Sequence, residues 1–303
     1  MNILEIDNLS KSFGKKQVIK NLSMTVPEHS IFGFLGENGS GKTTTMKMIL
    51  GFLKKDSGRI LIHGEEVKFG MGKTNETIGF LPDVPSFYPY MTGREYLELC
   101  GEVSGMKKNR IMKRSEELLD LVGLTKENGK ISGYSRGMKQ RLGIAQALFH
   151  RPKLLLCDEP TSALDPVGRK EILEILKNIT SQTTVLFSTH ILSDVEKICD
   201  HVAILKNGTI ILNGNMKDIK KKYRIHELEI EFSKNEMAKI FAKRPNVVSL
   251  KPRRKDNVLT FSKNTNVHLE TILLQELDAS SLFPKRLEEI EPSLESLFME
   301  VIQ

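Results

Sequence analysis

The octapeptide Gly36-Glu37-Asn38-Gly39-Ser40-Gly41-Lys42-Thr43 constrains the fold of this chain more than any other segment, because its pattern serves to hold phosphates. Gly39 and Gly41 let successive backbone N–H groups turn inward into an anion-binding concavity. Lys42 supplies a point charge for β- and γ-phosphates, and Thr43 offers a hydroxyl to Mg2+. The flanks suit that role. Residues 31–35 read as a short buried strand, and Met46, Ile49, Leu50 and Leu53 recur at helical spacing. Strand, glycine loop and helix N-terminus together aim the positive end of a helix dipole at an anion. A GxxxxGK[ST] string arises by chance in roughly one chain in a hundred of this length, so the rest of the sequence has to say what the nucleotide is for.

Hydrophobic residues at 39% and charged residues at 27% of 303 place the chain among globular proteins, long enough for one large domain or two smaller ones. No apolar run approaches the roughly 18 residues of a membrane span, and residues 1–10 lack the basic and apolar regions of a signal peptide. The expectation is a protein without a transmembrane segment, unable to form a pore itself. A net charge of +7 admits nucleic acid, an anionic membrane face or a well-solvated surface as its cause. Cys100, Cys157 and Cys199 are widely spaced and read as reduced structural residues.

Residues 3–70 read as a strand-rich start around the loop, with a short strand over 60–62 ended by His63-Gly64. Residues 94–149 read as a mostly helical insert, in which Ile111, Leu118, Leu119 and Val122 share a face and Gly123 is a fitting stop. Residues 154–157 form an apolar run of buried-strand length. Asp165-Pro166 then gives an N-cap and an N1 proline to a helix carrying Ile172, Ile175, Leu176 and Ile179. Residues 183–188 are another buried strand, and 202–212 predict a hairpin with a type I′ turn at Asn207-Gly208. Apolar strands alternating with helices imply an α/β fold with a mainly parallel sheet covered on both faces.

The run Lys220-Lys221-Lys222 marks a boundary between a domain over 1–222 and an accessory domain over 223–303. In the latter, Leu228, Ile230 and Phe232 alternate as a strand and 234–243 read as helix. Strands are expected over 247–250 and 258–261, with Leu269, Ile272, Leu273 and Leu277 on one helical face. A last strand over 283–290 precedes a terminal helix through Leu294, Leu297 and Phe298. The order βαββαβ suggests a small ferredoxin-like α+β domain.

A second phosphate-chemistry motif lies at 154–159, where a buried strand delivers Asp158 and Glu159 at its carboxyl end. Asp158 is placed to hold Mg2+ and Glu159 to polarise an attacking water as general base. With these motifs in hand, residues 1–222 resemble the nucleotide-binding subunit of ATP-binding-cassette (ABC) transporters, a P-loop cassette with a mixed sheet and a helical subdomain at about 94–149. Tyr134-Ser135-Arg136-Gly137-Met138-Lys139-Gln140-Arg141 resembles the family's signature segment, Ser162-Ala163-Leu164-Asp165 its D-loop, and Ser188-Thr189-His190 its switch histidine. Phe13 sits where the family stacks an aromatic on adenine, and Thr44 extends the phosphate loop. The resemblance implies ATP and Mg2+ as ligands, and ATP hydrolysis driving transport through a separate membrane permease. It implies too that a second ATP-binding subunit, most simply another copy of this chain, supplies Ser135 and Gly137 to the opposing nucleotide. His190 would contact the γ-phosphate.

Two departures stand out. Tyr134-Ser135-Arg136-Gly137-Met138 stands where the commonest signature is Leu-Ser-Gly-Gly-Gln, so Arg136 replaces a glycine, and Asp83, after Gly79-Phe80-Leu81-Pro82, replaces the usual glutamine that reaches Mg2+. With Thr43 and Asp158, Asp83 is expected to organise Mg2+, directly or through water. Phe87, Tyr88 and Tyr90 are candidates to line a groove for a permease helix or to fold back on the core, and Lys251, Arg253, Arg254 and Lys255 to form a turn between two strands or a lipid or nucleic-acid contact. The tail 291–298 resembles that of bacitracin- and anthracycline-type export ATPases, which implies export of a drug or peptide antibiotic from the cytoplasmic face of the membrane. Nucleic acid is not expected as a partner. The rival readings are a regulatory cassette with little turnover, favoured by Asp83 and Arg136 but opposed by Glu159, and a soluble cassette ATPase acting on DNA or ribosomes.

Overall fold

Strands in which every residue is buried need cover on both faces, and three of them form the centre of the first unit. In the computed structural model, which describes residues 1–70, 72–222, 227–262 and 268–290, the chain divides into two compact units, Met1–Met216 and Lys217–Gln303. The first opens with the long strands β1 (Asn2–Phe13) and β2 (Lys16–Pro27), then β3 (Ile31–Gly36), α1 (Lys42–Ile49), β4 (Ser57–Ile62), β5 (Glu65–Glu66) and β6 (Ile78–Leu81). Helices α2 (Gly93–Val103), α3 (Lys108–Leu121) and α4 (Arg136–Ala147) fill the middle of the sequence. They are followed by β7 (Leu154–Asp158), α5 (Pro166–Ile179), β8 (Thr184–Thr189), α6 (Leu192–Ile198), β9 (His201–Lys206) and β10 (Thr209–Asn215). The division falls at the start of α7 (Met216–Lys222).

A six-stranded sheet runs in the order β10-β9-β3-β8-β7-β6, parallel except where β10 turns back on β9. A four-stranded antiparallel sheet, β2-β1-β4-β5, shares its core. Phe32, Phe34, Leu154, Leu156 and Leu186 cluster with Leu4, Ile6, Leu22, Met24 and Ile60 from the antiparallel sheet and with Met46 and Ile49 of α1. On the other face, Gly33 admits α6 closely: a Cβ there would stand 2.7 Å from Val195 Cγ1.

Parallel pairing decides where the chemistry goes. With Leu35 opposite Thr189, Asp158 opposite Ser188 and Leu81 opposite Cys157, β3, β8, β7 and β6 all end at one edge of the sheet. That edge is where open α/β sheets leave a ligand crevice. The hairpin forms as its turn residues dictate, with Asn207 at φ +50° and Gly208 at φ +83°. Helix α1 is shorter than its apolar spacing predicts: Gly51 at φ +72° ends it, and Leu53 packs on the core from outside the helix.

The second unit contains β11 (Glu227–Glu231), α8 (Asn235–Ala242), α9 (Pro245–Ser249), β12 (Arg253–Lys255), β13 (Val258–Ser262), α10 (Leu269–Ser280) and β14 (Arg286–Ile290). Its sheet runs β12-β13-β11-β14, antiparallel throughout, which is the ferredoxin-like strand order. Ile230, Phe232, Phe241, Leu259, Phe261 and Leu273 fill its core. The strand expected over 247–250 is instead the helix α9. Pro245 presets its first turn, and Val247 is buried while Val248 stays exposed. The second strand falls on Arg253–Lys255, an edge strand exposed along its length. The terminal helix and the tail 291–298 lie outside the described residues.

Candidate nucleotide site

At the end of β3, Gly36 leaves no room for a side chain: a Cβ would lie 2.6 Å from the Leu205 carbonyl oxygen. The loop then turns through two left-handed glycines, Gly39 at φ +82° and Gly41 at φ +115°. Glu37 and Asn38 are exposed between them and the strand, and Thr44 is half-buried in the first turn of α1. That helix starts without a side-chain cap and without an acidic residue in its first turn. Its first amides are therefore available to an anion. Ser40 Oγ, beside them, is buried with no hydrogen-bond partner. An orphaned hydroxyl and uncapped amides around one concavity fit phosphate oxygens.

Lys42 is only 5% exposed, and a buried ammonium needs partners. It donates to the carbonyls of Gly36 at 2.7 Å and Glu37 at 3.2 Å, and stands 3.2 Å from Glu159 Oε1. Thr43 Oγ1 donates to Asp158 Oδ2 at 2.8 Å, and Ser188 Oγ donates to Asp158 Oδ1 at 2.5 Å. A carboxylate flanked by hydroxyls offers the hard oxygen donors that Mg2+ takes, one or two from protein and the rest from phosphate and water.

Glu159 occupies a left-handed backbone conformation, φ +49°, which a non-glycine residue adopts at a cost. The conformation is held by its N–H, which donates to Ser188 Oγ at 3.2 Å and to the Ser188 carbonyl at 3.1 Å. Its carboxylate then spans Lys42 on one side and His190 Nδ1, 3.0 Å from Oε2, on the other. Asp83 lies just beyond β6 on the same edge. Burial pushes its carboxyl up, Arg136 opposes that rise, and the charges of Asp158 and Glu159 add to it.

Ser135 caps α4, its Oγ accepting from Met138 N–H at 3.2 Å. The first turn of that helix carries no acid, but it carries Arg136 and Lys139, against the usual preference of a helix dipole. At Gly137 a Cβ would meet only Ser135 Oγ, at 3.9 Å, so the surface there is open. Phe13 ends β1, half-exposed under Lys11 Nζ at 5.5 Å, and Asp165 is committed to capping α5 through Gly168 N–H at 3.2 Å.

The fold thus gathers Lys42, Thr43, Asp83, Asp158, Glu159 and His190 at one edge. Phe13, Ser135, Gly137 and Asp165 are not tied to that cluster by any side-chain hydrogen bond or ion pair among the described residues. Sequence reasoning missed Ser188 as the residue that donates to the Asp158 carboxylate and holds the Glu159 backbone N–H. Only the adjacency of β7 and β8 reveals it.

Residues 19–162 match the ABC transporter family, and residues 214–302 match the C-terminal domain of DrrA1-3-like ATP-binding proteins. Over 301 residues, spanning 99% of each chain, the protein is 37% identical to the ABC transporter ATP-binding protein YxlF of Bacillus subtilis (strain 168). It is 40% identical over 235 residues to the bacitracin transport ATP-binding protein BcrA of Bacillus licheniformis, covering 76% of this chain and 75% of that one. A solved ATP-binding subunit of an ABC transporter superposes with a TM-score of 0.65 at 30% identity, over 73% of this chain and 93% of its own.

Proposed function

The chain belongs to the ATP-binding subunits of ABC transporters, and from that premise we propose that it hydrolyses ATP in a composite site formed with a second cassette and so drives a separate membrane permease. The observation that carries this reading is the Glu159 carboxylate. It is held by a left-handed backbone at the mouth of a phosphate loop, within reach of both Lys42 and His190.

In this reading the amides of residues 38–43 and the Lys42 ammonium bind the β- and γ-phosphates, with Ser40 Oγ donating to one of them. Thr43 and Asp158 hold Mg2+, which supplies charge neutralisation at the phosphate oxygens. Glu159 accepts a proton from the water that attacks the γ-phosphorus, and His190 contacts the γ-phosphate. Phe13 offers a half-exposed ring for stacking on the base. The first turn of α4, basic where a helix usually bears acids, suits the γ-phosphate of the opposing subunit, with Ser135 and Gly137 as donors and Asp165 beside the interface. No helix among the described residues is long and apolar enough to cross a membrane. We place the subunit peripherally at the cytoplasmic face, bound to its permease. Similarity to a bacitracin transport protein supports export of a drug or peptide antibiotic.

Steady-state ATP hydrolysis against protein concentration tests this, alongside Glu159→Gln. Turnover per subunit is expected to rise with concentration, and the variant to lose at least about a hundredfold in rate while forming an ATP-stabilised dimer. Wild-type turnover no greater than that of the variant, with and without membranes, would leave a regulatory cassette as the better account.

A further inference from the structure

Two charged residues that depart from the commonest form of their motifs meet in space. Arg136 Nη2 lies 3.5 Å from Asp83 Oδ1, although the two are separated by the whole of α2 and α3. Each residue alone sits badly. An arginine in the first turn of α4 opposes the helix dipole. An aspartate facing Asp158 and Glu159 adds a third like charge, and its Oδ1 is buried without a hydrogen bond. Placed together, each offsets the cost of the other. A glutamine and a glycine at these positions would carry no such mutual charge.

We propose that Asp83 and Arg136 are a positioning pair that fixes the first turn of α4, with Ser135 and Gly137, against the loop that follows β6. Asp83 then serves the helix and is not a ligand of Mg2+. The side chains are 48% and 47% exposed, so the pair contributes little to global stability. Its effect is local, on the aim of one helix end. The consequence for ATP-dependent dimerisation rests on the function proposed above.

Hydrogen exchange at the amides of residues 137–139 in the full, nucleotide-free chain tests the pair directly. Asp83→Ala and Arg136→Ala are each expected to speed exchange about threefold or more, the double variant no further than either single one. Exchanging the charges, Asp83→Arg with Arg136→Asp, restores protection, and Arg136→Lys keeps most of it. Additive effects, unchanged exchange, or failure of the charge exchange to restore protection would overturn the proposal. So would a Mg2+ requirement for hydrolysis that rises in Asp83→Ala but not in Arg136→Ala, which is the signature of a metal ligand. In a Glu159→Gln background, sedimentation with ATP should show the dimer weakened about tenfold by either single variant and recovered in the charge exchange. Absence of that dimer with the native pair intact would count against the composite site alone, because the exchange result stands independently of it.

Discussion

Gly39 and Gly41 both require the left-handed region, but only Gly41 is also confined: a Cβ there would sit 2.4 Å from Ile19 Cδ1, whereas Gly39 faces open space. Gly39→Ala is therefore expected to cost only backbone strain, about 1–2 kcal/mol. Gly41→Ala adds a contact with the buried tip of Ile19 and a φ of +115° that lies beyond the left-handed well of other residues, and is expected to weaken ATP binding more than tenfold. Titration calorimetry and thermal melts of the two variants check the ranking. Burial holds the thiols of Cys157 and Cys199 above the usual range, so both should alkylate at neutral pH far more slowly in the native protein than in the unfolded chain, by mass spectrometry. Lys42, Thr43, Asp158 and Glu159 were legible in the sequence because each motif is contiguous and its chemistry is local. Ser188 as an orienting hydroxyl and the meeting of Asp83 with Arg136 were not, since both depend on contacts that no local pattern encodes.

Among the elements, α10 is fastened to the start of α9 by Glu276, which accepts from Arg244 and, at 2.6 Å, from Asn246 Nδ2. Arg244 first and Asn246 second hold its carboxyl below the ordinary value of 4.5. A carboxyl whose pKa is lower folded than unfolded adds stability above the unfolded value, and that stability is lost as pH falls through the folded one. Exchange of α10 amides should therefore accelerate as pH drops below about 4.5, after correction for intrinsic rates, and Glu276→Gln should show faster exchange already at pH 7 with a flatter decline. Element type was readable where punctuation was strong: Asp165-Pro166 before α5, Asn207-Gly208 between β9 and β10. It was obscured in β1, where register shifts and Asn8 at φ +48° break the alternation. It misled at α9, where a β-branched pair lies behind a helix-starting proline, and β12 is a charged edge strand with no apolar signal at all.

At the scale of the whole molecule, each unit has its own core, one built on Phe32, Phe34 and Leu156 and the other on Phe232, Phe241 and Phe261. Calorimetry of the intact Glu159→Gln chain should resolve two transitions, and ATP with Mg2+ should raise only the one belonging to Met1–Met216. At a hundredfold excess over Kd the gain is about 2.7 kcal/mol. A single transition shifted as a block would refute that independence.

The Lys42 ammonium gives two of its three donors to loop carbonyls and has the Glu159 carboxylate as its neighbour for the third. Phosphate entry is in that case an exchange of partners and not an addition of one: an internal anion leaves the cation as an external one arrives. The carboxylate set loose is the one we propose as the acceptor of water's proton, and under that proposal loading the site and arming its base are a single event.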